Sequence, residues 1–160
     1  MPITMEMKGL EDIETKLKRM GDGARGIAAR GLYDGAGVMA DAVNNAADTI
    51  HTEPFHYAVF ITRQPSPEEK EAVKQAKTGI AKFRNNGAEV NTSIGYQNTG
   101  YAEVNGKKKP IPQIANSINS GTSFMQKQPF FRKAVNKSKE KASQAIIARC
   151  EAEFNRLLNS

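Results

Sequence analysis

Leu10, Ile13 and Leu17 recur at spacings of three and four and predict a short first helix over 10–20, which Gly21-Asp22-Gly23 ends. A second, longer stripe of Ala28, Leu32, Ala36, Met39, Val43, Ala46 and Ile50 predicts a helix from about Ala24 to Thr49. Its apolar face is narrow and small-sided. Gly31, Gly35 and Gly37 lie inside it, where each costs about 1 kcal/mol relative to alanine. Either another backbone approaches closely or the helix bends there; the alternative is a helix that frays or breaks.

The period then changes. Tyr57 to Ile61 is a β-branched and aromatic run that reads as a buried strand. Ser66-Pro67-Glu68-Glu69 has the form of a capping box, with Pro67 in the first turn, and predicts a short helix to about Lys77. A hairpin follows, Gly79 to Arg84 and Ala88 to Tyr96, joined through Asn86-Gly87. In its second strand Val90, Thr92, Ile94 and Tyr96 share one face, so one side of the sheet is expected to be buried and the other wet. Residues 97–113 carry three turn signals, a lysine triplet and two prolines, which fit a second strand pair or a long exposed loop. The expectation is a short strand at Tyr101 to Val104 followed by a protruding basic loop over about 105–112. Residues 114–122 are ambiguous between an extended segment and one helical turn. From Pro129 to about Leu158 there is no further Gly or Pro, and Phe131, Val135, Ser138, Ala142, Ile146, Cys150, Phe154 and Leu157 predict a helix of about 30 residues, roughly 45 Å long. The order α-α-β-α-β-β-(β)-α implies a single α+β domain over 1–160: a small antiparallel sheet flanked by helices, one long in the N-terminal half and one long at the C-terminus.

At 160 residues the chain is the right size for one domain, and 39% hydrophobic content with 13 glycines and no tryptophan implies a modest core with at least one loose loop. The single cysteine, Cys150, has no intramolecular disulfide partner, and the acidic N-terminus lacks the pattern of a secretion signal, so a reducing cytoplasm is expected. The longest apolar run is far short of a bilayer span, so no membrane role is expected. Charge is uneven. Between Asn105 and Arg149 ten Lys/Arg stand against one acid, Glu140, a net +9, while the remaining 13 basic and 16 acidic residues net −3. That asymmetry points to an oppositely charged partner, nucleic acid or an acidic protein face, or else to a solvated helix face.

Catalytic chemistry finds little footing. His51 and His56 flank Glu53 across a proline and share no helical face on which metal ligands meet, so a plain helix-exit loop is the reading. Cys150 lies on the apolar stripe of the last helix with no histidine near it in sequence, which reads as core packing. No phosphate-binding glycine loop occurs. Glu68, Glu69 and Glu71 fall in the first turns of a helix, where carboxylates favour the dipole. No cofactor and no enzyme activity are expected. Lys107, Lys108 and Lys109, with Lys133, Lys137 and Lys141 on one face of the last helix, form coherent basic ridges that suit phosphates or an acidic partner. Base readout would need a recognised groove-reading motif, so any DNA contact is expected to be sequence-blind.

Residues 121–135 join these threads. Gly121-Thr122, a short passage, then Pro129-Phe130-Phe131 opening a basic, apolar-striped terminal helix, resembles the C-terminal signature of the tail-component or neck family of long-tailed bacteriophages and prophages. Residues 35–47 resemble that family's first long helix; Lys77-Thr78-Gly79 and the strand ending at Gly95-Tyr96 resemble its entry to the sheet. Asn119 and Ser120 stand where the family commonly has an acidic and an aromatic residue, and residues 51–77 look like an insertion. The resemblance implies a structural virion protein with no catalytic residues, self-associating into a ring at the head-tail junction or the head-proximal end of the tail. Its partners would be further copies of itself and the neighbouring connector and tail proteins, with possible nonspecific contact to DNA in the channel. It would be found in the virion and, during assembly, in the host cytoplasm. In this frame Gly121 and Thr122 form a flexible hinge and Phe131 anchors the last helix on the sheet. Phe130, a quarter-turn away, packs on the incoming loop or on a neighbouring subunit. The alternative is a sequence-nonspecific nucleic-acid-binding protein using the basic C-terminal third.

Overall fold

The computed structural model describes residues 3–5, 23–53, 62–85 and 90–159. The short helix expected over 10–20, the strand expected at 57–61 and the Asn86-Gly87 turn lie outside these residues. Among the described residues the order is β1 (Ile3–Met5), α1 (Ala24–Ala46) with a 3-10 turn at Ala47–Thr49, α2 (Pro67–Ala76), β2 (Thr78–Asn85), β3 (Val90–Tyr96), β4 (Tyr101–Val104), β5 (Lys107–Pro110), α3 (Ile111–Ser120) and α4 (Phe130–Leu158). The fold is α+β, with a long helix in the N-terminal half and another at the C-terminus.

The strands form two antiparallel sheets, one ordered β1-β3-β2 and one of β4 and β5. Ile80 and Ile3 both pair with Ile94, at the centre of β3. Thr92 and Ile94 are fully buried, as the alternation of β3 implies. Besides apolar packing on Ile94, helix α1 is hydrogen-bonded to the sheet through Asn44: its Nδ2 donates to the Thr78 carbonyl at 2.9 Å, and the Thr78 N–H donates to Asn44 Oδ1 at 2.7 Å.

The two long helices run antiparallel. Gly23 lies against Leu157, Gly31 against Cys150 and Ile146, and Gly35 against Ile146 and Ala142. A Cβ on Gly35 would sit 2.6 Å from Ile146 Cδ1 and 3.2 Å from the Ala142 carbonyl; one on Gly31 would meet Cys150 Sγ at 2.8 Å. The missing side chains therefore let the backbones approach, and neither a bend nor a break is needed. Gly37 differs, since nothing lies within 4 Å of its Cβ position. Ile27, Leu32, Ile146 and Cys150 form a small core of their own where the pair extends past the main one. Cys150 packs there as a small apolar group. Burial, with Asp34 and Glu151 nearby, pushes its thiol up, and Sγ donates weakly to the Ile27 carbonyl.

Two expectations are corrected. The basic loop expected over 105–112 is a strand: Lys107–Pro110 pairs with Tyr101–Val104, each of Tyr101, Ala102, Glu103 and Val104 facing Pro110, Lys109, Lys108 and Lys107 in turn. Asn105 at φ 51° and Gly106 at φ 70° make the two-residue turn with both φ positive that suits tightly twisted hairpins. Pro110 is tolerated because it ends the strand. The ambiguous segment after it is a full helix, α3, with Ile111, Ile114, Ala115 and Ile118 buried.

The glycines give a direct test. Gly35→Ala is expected to lower stability by about 1–3 kcal/mol, because fully buried Ile146 has no space into which to retreat. Gly37→Ala should raise it by about 0.5–1 kcal/mol, since open space and helical backbone leave only the propensity gain. Urea denaturation of the two variants beside the parent checks both signs.

Candidate functional site

The Gly-Thr to Pro-Phe passage is a hydrogen-bonded junction and not a flexible hinge. Gly121 ends α3 at φ 75°, and a Cβ there would lie 2.9 Å from Lys127 Cβ, so the turn requires glycine. Thr122 Oγ1 accepts from the N–H groups of Phe124 and Met125, and the Thr122 N–H donates to the Met125 carbonyl at 3.0 Å. Arg63 forms an isolated parallel bridge beside Met125: its N–H donates to the Phe124 carbonyl and its own carbonyl accepts from the Gln126 N–H, both at 2.9 Å. Gln128 then binds both main-chain groups of His51, each at 2.9 Å. Pro129 stands one residue before the first helical position, and Asn119 Oδ1 accepts from the Phe131 N–H at 3.2 Å, capping α4 from α3.

Phe130 and Phe131 are both buried in the main core. Their rings meet edge to face at 6.5 Å, and Phe131 meets Tyr96 in the same way at 5.5 Å. Burial pushes the Tyr96 phenol up to about 12. Phe131 thus anchors α4 to β3, and Phe130 also borders a surface groove.

That groove, about 800 Å³, lies between the second half of α1 and the first half of α4. Val38, Ala42, Ala46, Phe130 and Ala134 make it apolar. Along one side stand Lys133, Lys137 and Lys141, four residues apart on α4, with Lys127 at the end. Asp41, Asn45 and Thr49 line the α1 side. Among the described residues no carboxylate pairs with any of the four lysines. Eight residues further along the same helix the pattern changes: Arg149 is flanked by Asp34 at 3.8 Å and Glu153 at 3.2 Å, and Glu153 also pairs with Arg30 at 3.3 Å. The basic row of α4 is neutralised at the glycine end of the helix pair and open at the groove end.

Lys107, Lys108 and Lys109 are not part of this groove. Lys108 stands opposite Glu103 in the hairpin, and Lys109 helps to hold the buried Glu69 carboxylate charged. The hairpin rests on the start of α2, where the Asn105 N–H donates to Glu68 Oε2 at 2.9 Å. Glu68 and Glu69, expected to serve the helix dipole, therefore also dock other elements. Glu69 is 2% exposed and closes the expected capping box with Ser66. It also receives Arg63 Nη1 and Nη2 at 2.6 and 2.7 Å. Sequence spacing revealed the capping box, but no local signal announced the Arg63 partner.

His51 is described and exposed, while His56 lies outside the described residues. Among the described residues no three His, Cys, Asp or Glu side chains are placed to hold a metal ion, and no helix is long and apolar enough to cross a membrane. No known protein family, curated protein or solved structure matches this chain.

Burial by itself would raise the Glu69 carboxyl, but hydrogen bonds from Arg63 and the Ser66 N–H, with the charges of Arg63 and Lys109, hold it below the usual carboxylate range. A folded-state value below the unfolded one contributes stability that is present above the unfolded value and lost as pH falls through the folded one. Glu69→Gln is expected to cost roughly 2–3 kcal/mol at neutral pH by leaving Arg63 half-paired. The difference between variant and parent should shrink at acid pH, measured by thermal denaturation across a pH series.

Proposed function

We propose that this protein is a structural component of a long-tailed phage or prophage particle, self-associating into a ring at the head-tail junction or the head-proximal end of the tail. The observation that carries the reading is the stretch from Gly121 to Val135. Its resemblance to the neck family's C-terminal signature coincides with a rigid junction that joins α3, the segment around Arg63 and α4. Such a junction supplies what a ring subunit needs: a fixed angle between a long two-faced helix and the sheet, so that unlike surfaces on successive copies meet at a constant rotation. An exposed Phe124 on this turn and exposed Tyr101 on the hairpin offer apolar contacts at separate places on the surface. The role is one of assembly, and no reaction is assigned to it.

Size-exclusion chromatography with light scattering, followed by negative-stain imaging, tests this directly, both alone and mixed with whatever connector and tail proteins its neighbouring genes prove to encode. Closed rings, or a discrete complex with one of those neighbours, are expected. A strict monomer that ignores every neighbouring virion protein would sink the reading.

The lysine row of α4, which has no carboxylate partner among the described residues, favours a second reading, sequence-blind contact with nucleic acid. If three or four phosphates are neutralised, affinity should fall roughly 20- to 50-fold for a single strand, or roughly 40- to 150-fold for a duplex, between about 50 and 200 mM salt. No binding at low salt removes it.

A further inference from the structure

The groove between α1 and α4 has an apolar floor and one strongly basic side, and these two properties together restrict its occupant. Lys133, Lys137 and Lys141 repeat every four residues, about 6 Å apart along the helix axis, which is also the spacing of side chains at i and i+4 on a second helix. The floor between them and α1 is made by Val38, Ala42, Ala46 and Ala134, small enough to leave a trough. We infer that this groove docks an acidic amphipathic helix of a partner protein, its apolar face on the alanine floor and its carboxylates along the lysine row.

The helix pair itself shows the chemistry that satisfies this side of α4. Where the row continues to Arg149, the chain provides Asp34 from across the seam and Glu153 from the next turn, and Glu153 also binds Arg30. At the groove the facing positions on α1 are Ala42, Asn45, Ala46 and Thr49, with Asp41 the one acid on that lining. A docked helix bearing carboxylates on one flank would extend the same ladder over the open end. A lysine row beside apolar surface matches the helix-in-groove mode of recognition, in which apolar anchors contribute affinity and flanking charges set register and partner choice.

Nucleic acid fits less well. A duplex laid on the lysines would leave the alanine floor uncovered, and a single strand gains affinity by stacking bases on exposed aromatic rings. Of the two aromatic rings bordering the groove, Phe130 is 5% exposed and offers no platform for them, and the exposed His51 offers a single one.

The inference rests on the groove's shape and charge and does not require that the protein form a ring. Fluorescence anisotropy on the full chain tests it with three labelled probes. The first is a helical peptide of about 18 residues with leucines at i, i+3, i+4 and i+7 and glutamates along one flank. The others are a scrambled peptide of the same composition and an oligothymidylate of about 12 nucleotides. The amphipathic peptide is expected to bind about tenfold or more tightly than its scrambled form, and K133Q/K137Q/K141Q should weaken it by about tenfold or more. Asn45→Trp, at an exposed position on the α1 side, should block the peptide while leaving the lysines in place. Circular dichroism and thermal melting confirm that both variants keep the fold. Equal binding of the two peptides, or no binding of either, overturns the inference. So does an oligonucleotide that binds more tightly than the peptide and is indifferent to Asn45→Trp, which would assign the row to nucleic acid. Ring formation is read in none of these arms, so failure here leaves the assembly reading standing, and the reverse also holds.

Discussion

The contact on which the rest of the molecule depends is the backbone approach of α1 and α4 at Gly31 and Gly35. With no Cβ at either position, Cys150, Ile146 and the Ala142 carbonyl fill the space that side chains would occupy. Two long helices are thereby held side by side along a seam that ends in the small core of Ile27, Leu32, Ile146 and Cys150. The same seam positions everything at its other end. Phe131 reaches Tyr96 on the sheet, Asn44 reaches Thr78, and the groove opens between Ala46 and Ala134. Glycine costs helix stability wherever it stands, and at these two positions close packing of a fully buried isoleucine offsets that cost.

Charge follows the same axis. Acidic and basic side chains interlock at the glycine end through Arg30, Glu153, Arg149 and Asp34, whose exposed members each contribute little stability. Towards the groove the acids thin out while the lysines continue. One side of one helix thus changes from a closed internal interface into an open external one, with no change in its own sequence character.

Periodic features were legible in the sequence because they are local. The stripe from Ala28 to Ile50, the Ser66 to Glu69 capping box and the last helix fold where their spacing places them, although the expected apolar row is buried only from Phe131 to Cys150 and its final member, Leu157, is exposed. The lysine triplet was not, because Lys and Pro are poor strand formers and only the pairing with Tyr101–Val104, nucleated by Asn105-Gly106, makes a strand of Lys107–Pro110. The turn residues and the strand at Tyr101–Val104 were both visible; what composition left open was whether Lys107–Pro110 pairs back on that strand or protrudes as a loop. Of the site, the basic face of α4 was readable from its four-residue spacing, whereas the groove beside it depends on how α1 sits 90 residues earlier. The stretch at Gly121-Thr122 looked loose because glycine marks freedom in a sequence. In the fold its φ of 75° and the close approach of Lys127 both call for glycine, and neighbouring groups are committed to partners far away, around Arg63 and His51.

Two amide side chains have a shared geometry with a mechanical meaning. Asn44 holds both main-chain groups of Thr78, and Gln128 holds both main-chain groups of His51. Each acts as a one-residue strand, offering a donor and an acceptor at the separation a peptide unit expects. Such a clamp resists sliding along the chain as well as separation from it, because a shift of one residue breaks both bonds together. Asn44 indexes α1 to the sheet, and Gln128 indexes the entrance of α4 to the exit of α1. The width of the gap between the two helices is therefore set like the jaws of a fixed gauge, by stops at known positions, and not by the softer compliance of alanine and lysine side chains.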